Sequence, residues 1–155
     1  MSDIIIVAPH GDDEIIGCYE IMKARKCIIL YTEDVNSDRQ KEINALKNKI
    51  DLKAQLYLKS IPGILQKKEN TFLFPDPTTE LHPAHRAQGA IGETMVRTGF
   101  DVIFYTTNMN APYIHEVPEW EEKKKLLDFI YKSQNNLWRF DNKYFLFEGR
   151  CQWQT

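Results

Sequence analysis

Within five consecutive positions the chain carries one imidazole and three carboxylates: His10, Asp12, Asp13 and Glu14. Like charges at such range repel, and burial raises their pKa values. A divalent cation removes that conflict, and zinc accepts both imidazole nitrogen and carboxylate oxygen. A plainer reading competes with it. Asp12 or Asp13 can cap a helix that starts near Glu14, Glu14 can favour the positive end of that helix, and His10 can be an ordinary turn residue.

A second group lies far along the chain, in Leu81-His82-Pro83-Ala84-His85. If a helix begins at Pro83, His82 sits at its N-cap and His85 in its first turn, so both can point to one side. Taken alone, H-x-x-H is a weak signal that also fits two exposed polar residues. The two groups together are more specific. A catalytic zinc site needs about three protein ligands and an open position. His10, Asp13 and His85 can supply the ligands. Asp12 is then free to act as general base toward a metal-acidified water, and His82 to donate to the developing oxyanion or the leaving nitrogen.

These residues need a scaffold, and the hydrophobic pattern supplies one. Ile4 to Ala8 is a short β-branched run without alternation, as in a strand buried on both faces of a parallel sheet. A helix follows, with Ile15, Ile16, Tyr19 and Met22 on one side. Cys27 to Tyr31 reads as a second strand. A helix capped by Ser37 or Asp38 carries Ile43, Leu46 and Ile50, and residues 54–58 read as a third strand. Residues 61–83 read mostly as loop, with a short extended piece at Thr71 to Leu73. A helix from Pro83, a fourth strand at Asp101 to Tyr105 and a helix opened by Pro118 and Glu119 complete the pattern. The tail around Phe145 to Phe147 has no firm place. Repeated alternation of strand and helix predicts an α/β, Rossmann-like three-layer fold with a mainly parallel sheet. The whole span 1–155 is expected to form one domain.

The totals bound the partners. Of 155 residues 27% are charged and the net charge is −2, which gives no basic excess for nucleic acid or a membrane surface. Cys18, Cys27 and Cys151 are odd in number and widely spaced, so neither a disulfide framework nor a thiolate metal site is expected, and a reducing, cytoplasmic setting fits. No stretch approaches a membrane span, and the first apolar run is too short for a signal segment. No glycine-rich phosphate loop is present. Lys123-Lys124-Lys125 reads as a solvated helix face. Asn108, Asn110, Tyr113 and His115 follow the fourth strand, His115 in a loop, and read as surface before site. Trp120, Trp138 and Trp153 read as packing before sugar platforms.

Here a family resemblance enters. Ala8-Pro9-His10-Gly11-Asp12-Asp13-Glu14-Ile15-Ile16-Gly17 resembles the A-H-P-D-D-E-x-x-G signature of the LmbE-like (PIG-L) N-acetylglucosaminyl deacetylases, and residues 82–89, HPAHRAQG, resemble their H-P-D-H-R-x-x-G. Arg39 to Glu42 is similar to the family's R-x-x-E, and Ser133-Gln134 to a late S-Q. The likeness spans roughly residues 3 to 134. It implies a Rossmann-like sheet, one zinc ion and hydrolysis of an N-acyl group on a small molecule, usually an amino sugar. Carried over by position, the metal ligands fall on His10, Asp13 and His85, the general base on Asp12, the oxyanion-stabilising histidine on His82 and a substrate-contacting arginine on Arg39. Two departures stand out. Gly11 replaces the family's proline, and Ala84 replaces an aspartate that would charge or orient His82. The same fold acting on another N-acylated compound, such as a nucleotide or modified base, is one alternative. A metal-binding module with little or no turnover is another.

Overall fold

The computed structural model describes residues 2–108, 110–138 and 141–151. Its strands are β1 (Ile4–Ala8), β2 (Cys27–Tyr31), β3 (Ala54–Tyr57), β4 (Thr71–Pro75), β5 (Asp101–Thr106), β6 (Tyr113–Glu116) and β7 (Phe147–Cys151). The helices are α1 (Asp13–Ala24), α2 (Ser37–Leu46), α3 (Pro83–Arg97), α4 (Trp120–Ile130) and the short α5 (Lys143–Leu146). Single 3-10 turns cover Gly63–Leu65 and Lys132–Leu137.

The strands form one sheet in the order β3-β2-β1-β4-β5-β7-β6. The first five run parallel, and β7 pairs antiparallel with both β5 and β6. The α/β, Rossmann-like expectation therefore holds, with a mixed outer edge. Both faces of the central strands are covered. Ile4, Ile6 and Ala8 pack with residues of α1, α2 and α4, while Ile5 and Val7 pack with Phe72, Phe74, Phe104 and Met95 on the α3 side. Two-sided burial is why β1 and β2 read as unbroken apolar runs.

Three readings are corrected and one is extended. The short extended piece at Thr71 is β4, which lies at the middle of the sheet between β1 and β5. The helix expected to be capped by Ser37 or Asp38 is capped by Asn36, whose side chain accepts from the Arg39 amide at 2.9 Å. Lys123 is not on a solvated face. It is 0% exposed, its Nζ donates to the carbonyls of Ile16 (2.8 Å) and Phe147 (3.3 Å), and it pairs with Glu148 at 3.6 Å. Burial pushes its pKa down to about 8, against the upward pull of Glu148. The unplaced tail forms α5 and β7. His115 lies on strand β6 and not in a loop. Trp138 is core, as read, and Trp153 lies outside the described residues.

Candidate metal centre

Strand order reverses direction at β1 and β4: β2 and β3 follow on one side, β5 on the other. In open α/β sheets the crevice beyond the strand ends at such a switch point is the habitual ligand site. The chain leaves β1 into the turn holding His10 to Asp13, leaves β4 toward Glu80, His82 and His85, and leaves β5 into Thr107 and Asn108. A cleft of about 780 Å³ opens there, lined by all of these side chains and by Arg39, Ser133 and Gln134.

The turn itself argues against mere capping. Asp12 is the N-cap of α1, with its carbonyl accepting from the Ile15 and Ile16 amides, yet its side chain makes no capping bond. Its backbone sits at φ 92°, the only non-glycine residue with positive φ among those described. Such a conformation costs about 1–3 kcal/mol and clusters at functional sites. The glycine beside it is explained by space, not by φ: a Cβ on Gly11 would lie 2.7 Å from Ile43 Cγ1 and 3.0 Å from Tyr131 Cε1. A proline at that position would meet the same atoms.

Asp13 and the two histidines converge. Asp13 Oδ2 lies 3.0 Å from His85 Nε2 and 3.4 Å from His10 Nδ1, and these two ring nitrogens are 3.2 Å apart. The same Oδ2 accepts the His10 amide at 2.8 Å, which fixes the carboxylate. Zinc bonds of about 2.0–2.1 Å in tetrahedral array put donor atoms about 3.3 Å apart. All three separations match that edge, so the donor set fits one small divalent ion. Burial would push the Asp13 carboxyl up, but the charge and hydrogen bonds of His85 and His10 hold it well below the carboxylate range. Burial would likewise lower His85, yet Asp13 and then Glu80 raise it to about 10.

Glu80 was not singled out from sequence. It is buried, and its Oε1 lies 3.4 Å from His85 Nδ1. The Thr107 amide (2.7 Å) and hydroxyl and the Asn108 side chain (2.9 Å) donate to the Glu80 carboxylate. A carboxylate on Nδ1 directs the lone pair of Nε2 toward the ion, the usual outer support of a metal-bound histidine. An isolated Glu in a Pro- and Thr-rich stretch carries no spacing signal; only the fold of β4 brings it under His85.

His82 caps α3, its Nδ1 accepting from the Ala84 amide at 3.1 Å. That bond assigns the proton to Nε2. Its ring centroid is 4.7 Å from that of His10 and 5.2 Å from that of His85. Partial desolvation, then the His10 and His85 charges, lower its pKa, so it is a neutral N–H donor. Asp13 and Glu33 pull the other way but less strongly, and Ala84 stands where an aspartate would add to them. Asp12 is raised well above the ordinary value by burial and then by Asp13, with Arg39 pulling the other way. Arg39 is tied by a hydrogen bond from Nη2 to the Gly11 carbonyl, so α2 braces the turn that carries Asp12. Behind the turn, the Tyr131 hydroxyl donates to the buried Glu14, whose pKa burial raises to about 8.

The remaining candidates divide. Asn108 lines the cleft; Ser133 does too, held to Glu42 of α2 through its amide (3.0 Å) and hydroxyl. His115 is elsewhere, 2.5 Å from Glu20 and 3.7 Å from Glu148. The Glu148 carboxylate is already paired with Lys123 and, at 3.1 Å, Arg150. No model of a known protein family matches the chain, and a search of curated proteins finds no match either.

Proposed function

We propose that this chain is a divalent-metal-dependent hydrolase that removes an acyl group from the nitrogen of a small molecule, with zinc as the metal and an N-acetylated amino sugar as the substrate type. One observation carries the reading: three converging donors at tetrahedral spacing, two of them buried, beside a buried acid, Asp12, whose side chain neither caps its helix nor belongs to the donor set. The resemblance of residues 8–17 and 82–89 to the LmbE-like signatures points the same way. The polar lining contributed by Arg39, Ser133, Gln134 and Asn108 suits a hydroxyl-rich compound.

His10, Asp13 and His85 would hold the ion, which supplies polarisation of the acyl carbonyl and acidification of water. Asp12, made more basic by burial and by Asp13, takes the proton of the attacking water. His82 donates its Nε2–H to the carbonyl oxygen as negative charge develops there. Asp12 then passes its proton to the departing nitrogen, giving a free amine and a carboxylate.

Asp12→Asn is expected to keep about one zinc per chain and lose turnover of N-acetylated amino sugars by about 10²–10⁴-fold. Measured metal content and hydrolysis rate check this, and full activity in the variant would remove Asp12 from the mechanism.

A further inference from the structure

A second cavity, of about 660 Å³, lies away from the metal donors, between α1, α4 and the turn after α2. Its floor is apolar, made by Tyr19, Ile50, Leu126 and Phe129. Phe129 is 57% exposed, a large ring left to solvent in the last turn of the charged helix α4. Two ammonium groups stand over that ring, Lys49 at 4.6 Å and Lys132 at 5.5 Å from its centroid.

The charges around the floor are not balanced. Glu122 accepts from the Tyr19 hydroxyl at 3.3 Å and pairs with Lys23 at 3.5 Å. Asp128 accepts the Trp138 indole N–H at 2.8 Å. Both acids of the groove are therefore engaged. Among the described residues, Lys49, Lys125 and Lys132 enter no ion pair. The groove thus joins apolar contact to a net positive rim, within the size range of small-ligand clefts.

We propose that this groove binds a small free amphipathic anion, an aliphatic or aromatic body ending in a carboxylate. The body lies on Leu126 and Phe129, and the carboxylate takes the place of water between the Lys49 and Lys132 ammonium groups. This site is independent of the metal centre and of the reaction proposed for it.

Isothermal titration of the full chain tests the assignment, with decanoate below its micellar concentration and decyltrimethylammonium as the cation of equal chain length. Decanoate is expected to give a saturable one-site isotherm and to bind about tenfold or more tighter than the cation. The charge reversal Lys49→Glu with Lys132→Glu, on exposed positions, is expected to abolish that preference, and added chelator to leave it intact. Equal binding of the two probes, or an unchanged preference in the double variant, overturns the proposal. So does binding of a synthetic Glu/Leu amphipathic helix with no decanoate binding, which would assign the groove to a protein partner.

Discussion

At the scale of single residues, the site is organised around who holds which proton. In the metal-free chain the His85–Asp13 pair contributes stability on both sides of neutrality. His85 is raised to about 10, so its contribution is complete below its ordinary value of about 6.5 and is lost as pH rises through about 10. Asp13 is depressed, so its contribution is present above about 3.9 and is lost as pH falls below that. The stability gap between the metal-free wild type and His85→Gln should therefore shrink as pH is raised from neutral to above 10, and a gap that stays constant in thermal melts would refute the pairing. At neutral pH the ion must displace a proton from His85, so zinc binding should release about one proton, read from calorimetry in buffers of different ionisation heat. Glu80→Gln removes the charge behind His85 and should weaken zinc by about 10–100-fold in a chelator competition. That His10, Asp13 and His85 would converge was legible because histidine is rare in this chain and the order of the two groups along it is informative. Glu80 was not, since a carboxylate that acts through a histidine needs no fixed spacing from it. Lys123 misled for a related reason: three adjacent lysines on a helix point in different directions, and one of them faces inward to Ile16 and Phe147.

At the scale of elements, a strand only faintly visible in the sequence is the one on which the site depends. β4 brings Glu80, His82 and His85 to the switch point, yet it sits between Asn- and Pro-containing loops that resemble a long connection. Its neighbour in space, α3, is seated on it through glycines. A Cβ on Gly89 would stand 2.5 Å from the Pro75 carbonyl oxygen and 2.6 Å from Pro77 N, both backbone atoms that cannot swing aside. A Cβ on Gly92 would meet the rings of Phe74 and Phe104 at 2.8 and 2.9 Å. Gly89→Ala is expected to cost about 1–3 kcal/mol in denaturant unfolding. It should also weaken zinc, because it lifts the helix start that holds His85; Gly92→Ala, facing side chains that can adjust, should spare the metal. The elements β1, β2, β3, β5 and α1 to α4 were legible at the level of their hydrophobic period, and α2 lost only its cap, Asn36 having been passed over for its neighbours.

At the scale of the whole molecule, the ion would join a turn at one end of the chain's β1–α1 unit to a helix start more than seventy positions later, across the switch point of the sheet. Ligands that bind only the folded state stabilise it by mass action. At zinc about a hundred times its dissociation constant the gain is about 2.7 kcal/mol, and Tm should rise by roughly 5–10 °C. The same additions should leave His85→Ala unmoved. An equal rise in that variant would place the stabilising metal elsewhere on the molecule. The three-layer plan was readable from the alternation of strand and helix. The mixed edge was not, because β6 and β7 are short and carry charged and aromatic residues that alternate weakly.

That edge bears on how the chain is made. β7 is threaded between β5 and β6, and among the described residues β6 pairs with no other strand. A ribosome delivers residues in order, so β6 emerges with nothing to pair with and β5 waits with its outer edge bare until Phe147 to Cys151 appear. Through that interval the nascent chain offers two open strand edges, the form in which partly made sheets adhere to one another. The lysine buried against the Phe147 carbonyl and Glu148 takes part in the closure: its ammonium has no full shell of partners until β7 is in place, so docking of β7 and burial of that charge are one event.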